Sequence, residues 1–405
     1  MQKSPHVLMF GWEFPPFNSG GLGTACHGLS HGLADDNVCV TFVLPRKVGA
    51  TSNKIQITFA DEHEVNEDFY RTLYNPYLTT QLYKSLRKTL KSDDIISTDL
   101  ITEVYRYSVN ARTVANSTRF DIIHAHDWLS FGAGMEARHI SRKPLVLHVH
   151  ATELDRTGFN GAHPYIYHIE KEGMKRADRV IAVSGYTRDV ICRHYHIPRH
   201  KVDVVHNGIN LHEFRYRHHD IQQVRAIFGK IVLFVGRLTL QKGADYFLRA
   251  AHLVLQYYPD VTFIIAGSGD AERQLMEDAA RLGISNKIIF TGFLRGAELN
   301  KIYQAADAYV MPSVSEPYGI AALEAIANGT PLIVSKQSGV SEVLNHALKV
   351  DFWDTQEMAN KILAILNHES LYQTLHHNGL KEVERHTWNH SARKVHQIYN
   401  QLLAH

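Results

Sequence analysis

Short apolar runs rich in Val, Ile and Phe alternate with longer amphipathic segments almost from one end of the chain to the other. That alternation is the signature of parallel strands, buried on both faces and joined by crossover helices. It predicts strands at His6–Phe10, Cys39–Leu44, Ile122–His126, Leu145–His150, Val180–Val183, Val202–Val205, Ile231–Val235, Thr262–Ala266, Ile288–Thr291, Ala308–Met311 and Leu332–Ser335. Eleven strands crowd one open sheet, and 405 residues exceed one ordinary core. The fold class is therefore α/β, with two Rossmann-like, doubly wound parallel-sheet domains. The turn His206-Asn207-Gly208 sets the break, giving a first domain over 1–206 and a second over 207–386. A last helix over 387–405 carries Trp388, Ala392, Val395, Tyr399 and Leu402 at helical spacing and is expected to pack back on the first domain.

Composition excludes several classes of function. With 44% hydrophobic and 21% charged residues the chain is neither disordered nor a low-complexity polymer. Forty-three Lys and Arg against 41 Asp and Glu leave a charge of +2, so no global field draws it to nucleic acid or anionic lipid. Three scattered cysteines, Cys26, Cys39 and Cys192, make neither a disulfide framework nor a Cys-based zinc site and fit a reducing cytoplasm. The apolar runs fall short of the ~20 residues that span a bilayer, and no secretory pattern follows Lys3. The polar stretch 47–91 reads as an insertion: acidic residues Asp61, Glu62, Glu64, Glu67 and Asp68, then Leu82, Leu86 and Leu90 beside Lys84, Arg87, Lys88 and Lys91. An ordinary surface helix is favoured there over a membrane or acceptor face.

Three turns carry chemistry. After the first strand, Gly20-Gly21-Leu22-Gly23 leads into a helix, and glycines before a helix N-terminus let backbone N–H groups approach a phosphate. The spacing is neither Gly-x-Gly-x-x-Gly nor a Walker loop, and a plain tight turn is an equal alternative. After Ile231–Val235, Gly236-Arg237 and Lys242 place two cations at the carboxyl edge of a strand, able to neutralise a departing diphosphate without a metal. In Ser313–Pro331, Glu316 precedes a helix, Tyr318, Gly319 and Ile320 offer main-chain N–H groups at its start, and Glu324 lies two turns further inside an apolar stretch. Glu316 suits sugar hydroxyls and Glu324 a ribose diol.

Together, the Glu-x7-Glu of Glu316 and Glu324, the Gly236-Arg237-x4-Lys242 run, His206-Asn207-Gly208 and Gly20-Gly21-Leu22 resemble the retaining glycosyltransferases of GT-B fold. This is the group that includes glycogen and starch synthases, sucrose synthase and the large family four. The resemblance implies two Rossmann-like domains facing across a cleft, a UDP- or ADP-sugar donor held mainly by the second domain, a carbohydrate acceptor approaching from the first, and no cofactor or metal. It implies that Arg237 and Lys242 hold the diphosphate, Glu324 the ribose, Glu316 the transferred sugar, and Phe293 and Leu294 the base. The Gly20–Gly23 loop would close over the phosphates. His150 would touch an outer sugar hydroxyl, its carbonyl towards the anomeric centre, and Asp127, in His124-Ala125-His126-Asp127-Trp128, would face the acceptor. The bacterial glycogen synthases carry Lys-x-Gly-Gly-Leu, whereas this chain has Asn18-Ser19-Gly20-Gly21-Leu22. An α-glucan acceptor, a lipid-linked or cell-surface glycan, and a UDP-sugar 2-epimerase-like activity therefore all stay open.

The 27 histidines include His124, His126, His148 and His150 at two strand ends. Without a His-Glu-x-x-His or a partnered cysteine pattern they are expected to be neutral and hydrogen-bonded rather than metal ligands. His218–His219 and His376–His377 read as surface pairs.

Overall fold

The computed structural model describes residues 4–17, 20–62, 100–159, 161–214 and 221–404. By internal contact the chain divides into two units, one comprising 1–153, 162–208 and 388–405, the other 154–161 and 209–387.

The first unit holds seven strands: β1 (His6–Phe10), β2 (Cys39–Leu44), β3 (Gln56–Phe59), β4 (Ile122–His126), β5 (Leu145–Val149), β6 (Arg179–Ala182) and β7 (Val202–Val204), in the order β3-β2-β1-β4-β5-β6-β7. The second holds six: β8 (Lys230–Val235), β9 (Val261–Ala266), β10 (Ile288–Gly292), β11 (Ala308–Met311), β12 (Leu332–Ser335) and β13 (Leu348–Val350), in the order β10-β9-β8-β11-β12-β13. Neighbouring strands pair in parallel in both sheets, as at Phe10↔Val43 and Tyr309↔Leu332. The eleven expected strands are present with ends within one residue of expectation.

Two strands escape sequence reading, and both are sheet edges. Gln56–Phe59 has no fully buried residue, and Leu348–Val350 buries only Val350. An edge strand covered on one side needs no continuous apolar run, so the signal that marks central strands is missing. The segment Leu154–Gly161, expected with the first domain, groups with the second unit, where Ser315 Oγ donates to Asp155 Oδ1 at 2.7 Å.

The final helix, Trp388–Leu403, lies against the helix Gly21–Asp35 at two glycines. A Cβ on Gly28 would sit 2.2 Å from the Trp388 ring, and one on Gly32 would sit 2.9 Å from the Trp388 carbonyl oxygen. Only glycine allows these helices to approach so closely. The expected helix at Leu82–Lys91, most of the acidic cluster and His218–His219 lie outside the described residues.

In each sheet the strand order reverses at one place, between β1 and β4 and between β8 and β11. Ligands of open α/β sheets bind beyond the carboxyl ends of the strands at such points. The segments after those four strands carry most of the candidate residues, while His150 follows β5 and Phe293 and Leu294 follow β10.

Candidate active site

In the second unit the loop after β11 is held as if it were a further strand. Glu316 N donates to Gln337 O at 3.0 Å, and Gly339 N donates to Glu316 O at 2.8 Å. With its main chain fixed on both sides, Glu316 presents its carboxylate to Lys242, whose Nζ lies 2.5 Å from Oε2, and to Ser313 Oγ at 3.4 Å. Lys242 closes the short 3-10 turn Leu240–Lys242 that follows β8. The next residue, Gly243, has φ +68, and a Cβ there would meet Pro312 O at 2.1 Å. Glycine at 243 is thus what lets the loop after β8 lie against the loop after β11. Gln241 ties the two further, donating to Ser315 O at 3.0 Å and accepting from Val314 N at 2.9 Å through its own carbonyl. Gln241 and Gly243 were not expected as site residues. Their signal is the Lys-Gly pair closing a strand-to-helix turn.

Arg237 is half-buried directly after β8, beside Gly236. The helix Ile320–Ala327 starts at Ile320 behind Gly319, whose φ of 108 is a glycine conformation. Tyr318 stands ahead of the helix, its carbonyl accepting from Val340 N at 2.7 Å. A Cβ on Gly319 would lie 2.8 Å from Met311 Cε, so the helix begins pressed against the end of β11. Glu324 is half-buried on the same helix. Burial, seconded by the Glu213 carboxylate, pushes its carboxyl up to about 7, and a hydrogen bond from Tyr303 opposes the shift. Phe293 is 51% exposed with the Arg295 guanidinium stacked on its ring at 4.6 Å, and Leu294 is half-buried next to it.

In the first unit the helix Gly21–Asp35 begins directly at the glycine turn. A Cβ on Gly21 would meet nothing within 4 Å, while Leu22 and Gly23 are buried. Gly20 caps that helix in an extended conformation. Four histidine rings line one face of β4 and β5, following the pairing of His126 with His148. Adjacent rings stack with planes 16° to 28° apart. His126 Nδ1 and His150 Nε2 share a hydrogen bond of 2.9 Å, and His124 Nδ1 bonds the Tyr399 hydroxyl. Burial pushes His124 and His150 down to about 3 and holds His126 and His148 well below the usual imidazole range, so all four are neutral near pH 7. Ligand atoms of Cys26, His126 and His150, and those of His124, His126 and His148, lie within 4.8 Å of one another and are the two groups of described residues able to hold a metal ion.

Asp127 is buried, and its carboxylate accepts from His150 N at 2.6 Å and Ala151 N at 3.3 Å. Glu13, buried after β1, is a further carboxylate of this region that sequence reading passes over. Its charge acts with that of Asp127 to raise the Cys26 thiol, after burial itself.

Residues 19–213 match the model of the family described as Glycosyltransferase Family 4, and residues 221–382 match Glycosyl transferases group 1. An uncharacterized glycosyltransferase of Methanocaldococcus jannaschii is 31% identical over 97% of this chain and 97% of its own. The chain belongs to glycosyltransferase family four. Other similarities of this family-four transferase agree. A glycogen synthase of Mycobacterium tuberculosis is 29% identical over 84% of this chain and 80% of that protein. The structure of Anabaena HepE in complex with UDP-glucose aligns with a TM-score of 0.72 at 19% identity, covering 98% of this chain and 100% of that one. The two reversing parallel sheets are those of the GT-B fold. Among the described residues of this transferase no helix is long and apolar enough to cross a membrane.

Proposed function

We propose that this family-four transferase is a retaining hexosyltransferase that moves a sugar, glucose in the first instance, from a UDP-sugar to a carbohydrate acceptor. The observation that carries the proposal is the Lys242–Glu316 pair, 2.5 Å apart at the strand-order reversal of the second sheet. It sets a cation for a diphosphate beside a carboxylate for sugar hydroxyls. HepE's structure with UDP-glucose supports the donor class.

On this reading Arg237 and Lys242 neutralise the charge that gathers on the diphosphate as the anomeric C–O bond breaks, helped by the amides at the start of Ile320–Ala327. Glu316 orients the ring and Glu324 accepts from the ribose. Phe293 and Leu294 lie under the base, and Gly20–Gly23 closes on the phosphates. His150 hydrogen-bonds an outer hydroxyl, and a neutral imidazole does so without repelling a sugar that is gaining positive charge. The acceptor oxygen attacks from the face the diphosphate leaves, and its proton passes to the departing phosphate oxygen, so the anomeric configuration is kept. No metal or cofactor takes part in this scheme.

The acceptor assigned first is an α-glucan, on the His124-Ala125-His126-Asp127-Trp128 segment and the similarity to a glycogen synthase. A lipid-linked or cell-surface glycan is the second reading, favoured by Asn18 standing where bacterial glycogen synthases carry lysine. The three free thiols fit action in the cytoplasm. Release of UDP from UDP-glucose in the presence of EDTA, with maltooligosaccharides and with a polyprenyl-phosphate sugar as acceptors, tests the proposal. NMR of the product should show the α-anomer. A β-linked product, hydrolysis without transfer, or dependence on a divalent ion contradicts it.

A further inference from the structure

Asp127 is the single residue between β4 and the helix Trp128–Ser141, and its φ of 58 with ψ of 170 falls in a region populated almost only by glycine. Its peptide groups are held on both sides. Asp127 N donates to His148 O at 2.9 Å, and its carbonyl accepts from Ser130 N at 3.0 Å and Phe131 N at 3.2 Å. Ser130 Oγ also donates to His126 O at 2.6 Å, fixing the preceding peptide. An Asp before a helix ordinarily caps that helix with its side chain, but this one makes no such bond. Its Oδ1 instead collects two successive N–H groups from the exit of the neighbouring strand, His150 at 2.6 Å and Ala151 at 3.3 Å. The residue before it, His126, holds the His150 ring by the 2.9 Å bond to Nε2. One dipeptide thus tethers both the main chain and the ring of His150. The Nδ1 of that ring finds no partner among the described residues.

We propose that Asp127 is a positioning residue: held in a strained backbone conformation, its carboxylate fixes the His150–Ala151 peptide and so aims the His150 carbonyl and Nδ1 at the transferred sugar. This rests on the role given to His150 above and replaces the expectation that Asp127 faces the acceptor. The carboxylate works by accepting hydrogen bonds, so its charge is dispensable and its oxygen is not. An aspartate is retained where glycine would be unstrained because glycine has no oxygen to give.

Four proteins test it: wild type, Asp127→Asn, Asp127→Ala and Asp127→Gly. Asn keeps an oxygen at the same place, so its kcat stays within about tenfold of wild type with the same pH profile. Ala and Gly free the peptide, and a misplacement on the order of 1 Å lowers kcat roughly 100-fold, with donor KM changed less than about threefold because diphosphate contacts are untouched. Gly, relieved of strain, melts at or above the temperature of Ala yet is no more active, which separates positioning from mere stability. Amide hydrogen exchange at 150 and 151 is slow in wild type and Asn and fast in Ala and Gly. Loss of kcat in Asn equal to that in Gly, an active Gly variant, or unchanged exchange at 150 and 151 in Gly overturns the proposal. If wild type releases no UDP from any nucleotide sugar, the functional reading fails, and the exchange data alone decide whether Asp127 holds this peptide.

Discussion

Lys242 Nζ lies 2.5 Å from Oε2 of Glu316, an ion pair drawn from loops that follow two adjacent strands, β8 and β11. Both side chains are mostly shielded from water, and a shielded pair holds more firmly than an exposed one. Each is also a group that a sugar diphosphate would need.

On the proposed function, donor binding would exchange partners: the ammonium would turn to the diphosphate and the carboxylate to the sugar. Lys242→Ala removes the cation and leaves Glu316 without its counter-charge. We expect kcat/KM to fall by about 100- to 1,000-fold, the scale seen when one stabilising donor is deleted from a charged transition state. Steady-state kinetics with UDP-glucose check this, and an unchanged kcat would remove Lys242 from the mechanism.

Gly243→Ala tests the fit between the two loops. The new methyl would meet Pro312 O at 2.1 Å in a residue with φ +68. A loss of about 1–3 kcal/mol is expected from the strained backbone alone, visible as a lower Tm, together with lower kcat because Lys242 moves with its neighbour. A variant with wild-type Tm and kcat would show that the loops are not held this way.

Glu324 titrates at about 7, above its ordinary 4.5. Between those values the folded chain keeps a proton that the unfolded chain releases. The stabilisation linked to this proton is complete below about 4.5 and lost as pH rises through about 7. Glu324→Gln should therefore match wild type in Tm near pH 4.5 and exceed it near pH 8. Wild-type donor affinity should rise with pH through 7 as the carboxylate forms, and the Gln variant should show no such rise. Parallel melting curves of the two proteins from pH 4.5 to 8 would contradict the assignment.

The contact of Trp388 with Gly28 and Gly32 should couple the two ends of the chain. Gly28→Ala forces a Cβ to 2.2 Å from the indole and should cost about 1–3 kcal/mol as overpacking. Trp388→Ala should cost about 3–5 kcal/mol as a cavity. The double variant should be more stable than the sum of the two losses predicts, because the methyl then has room. Urea melts of the four proteins measure this, and strict additivity would place the ring elsewhere.

Central strands are legible from sequence because both faces are buried, as in Leu145–Val149 and Lys230–Val235, whereas the edges Gln56–Phe59 and Leu348–Val350 lack an apolar run to read. Cations and carboxylates at strand ends are legible too, since Arg237, Lys242, Glu316 and Asp127 each directly follow or soon follow a strand. Their partners are not. That Lys242 meets Glu316 across 74 residues, or that Asp127 turns to the His150 peptide instead of its own helix, depends on which strands are neighbours and on φ values that sequence does not display. Glu13 goes unread for a similar reason. A single acid after β1 looks like solvent-facing loop until the buried strand end encloses it.

A crystal structure with UDP bound tests the central claim most directly. The account predicts a diphosphate within about 3 Å of Lys242 Nζ and the Arg237 guanidinium, with the Lys242–Glu316 bond broken and the ribose on Glu324. UDP bound away from the carboxyl ends of β8 and β11, with that ion pair intact, would contradict it.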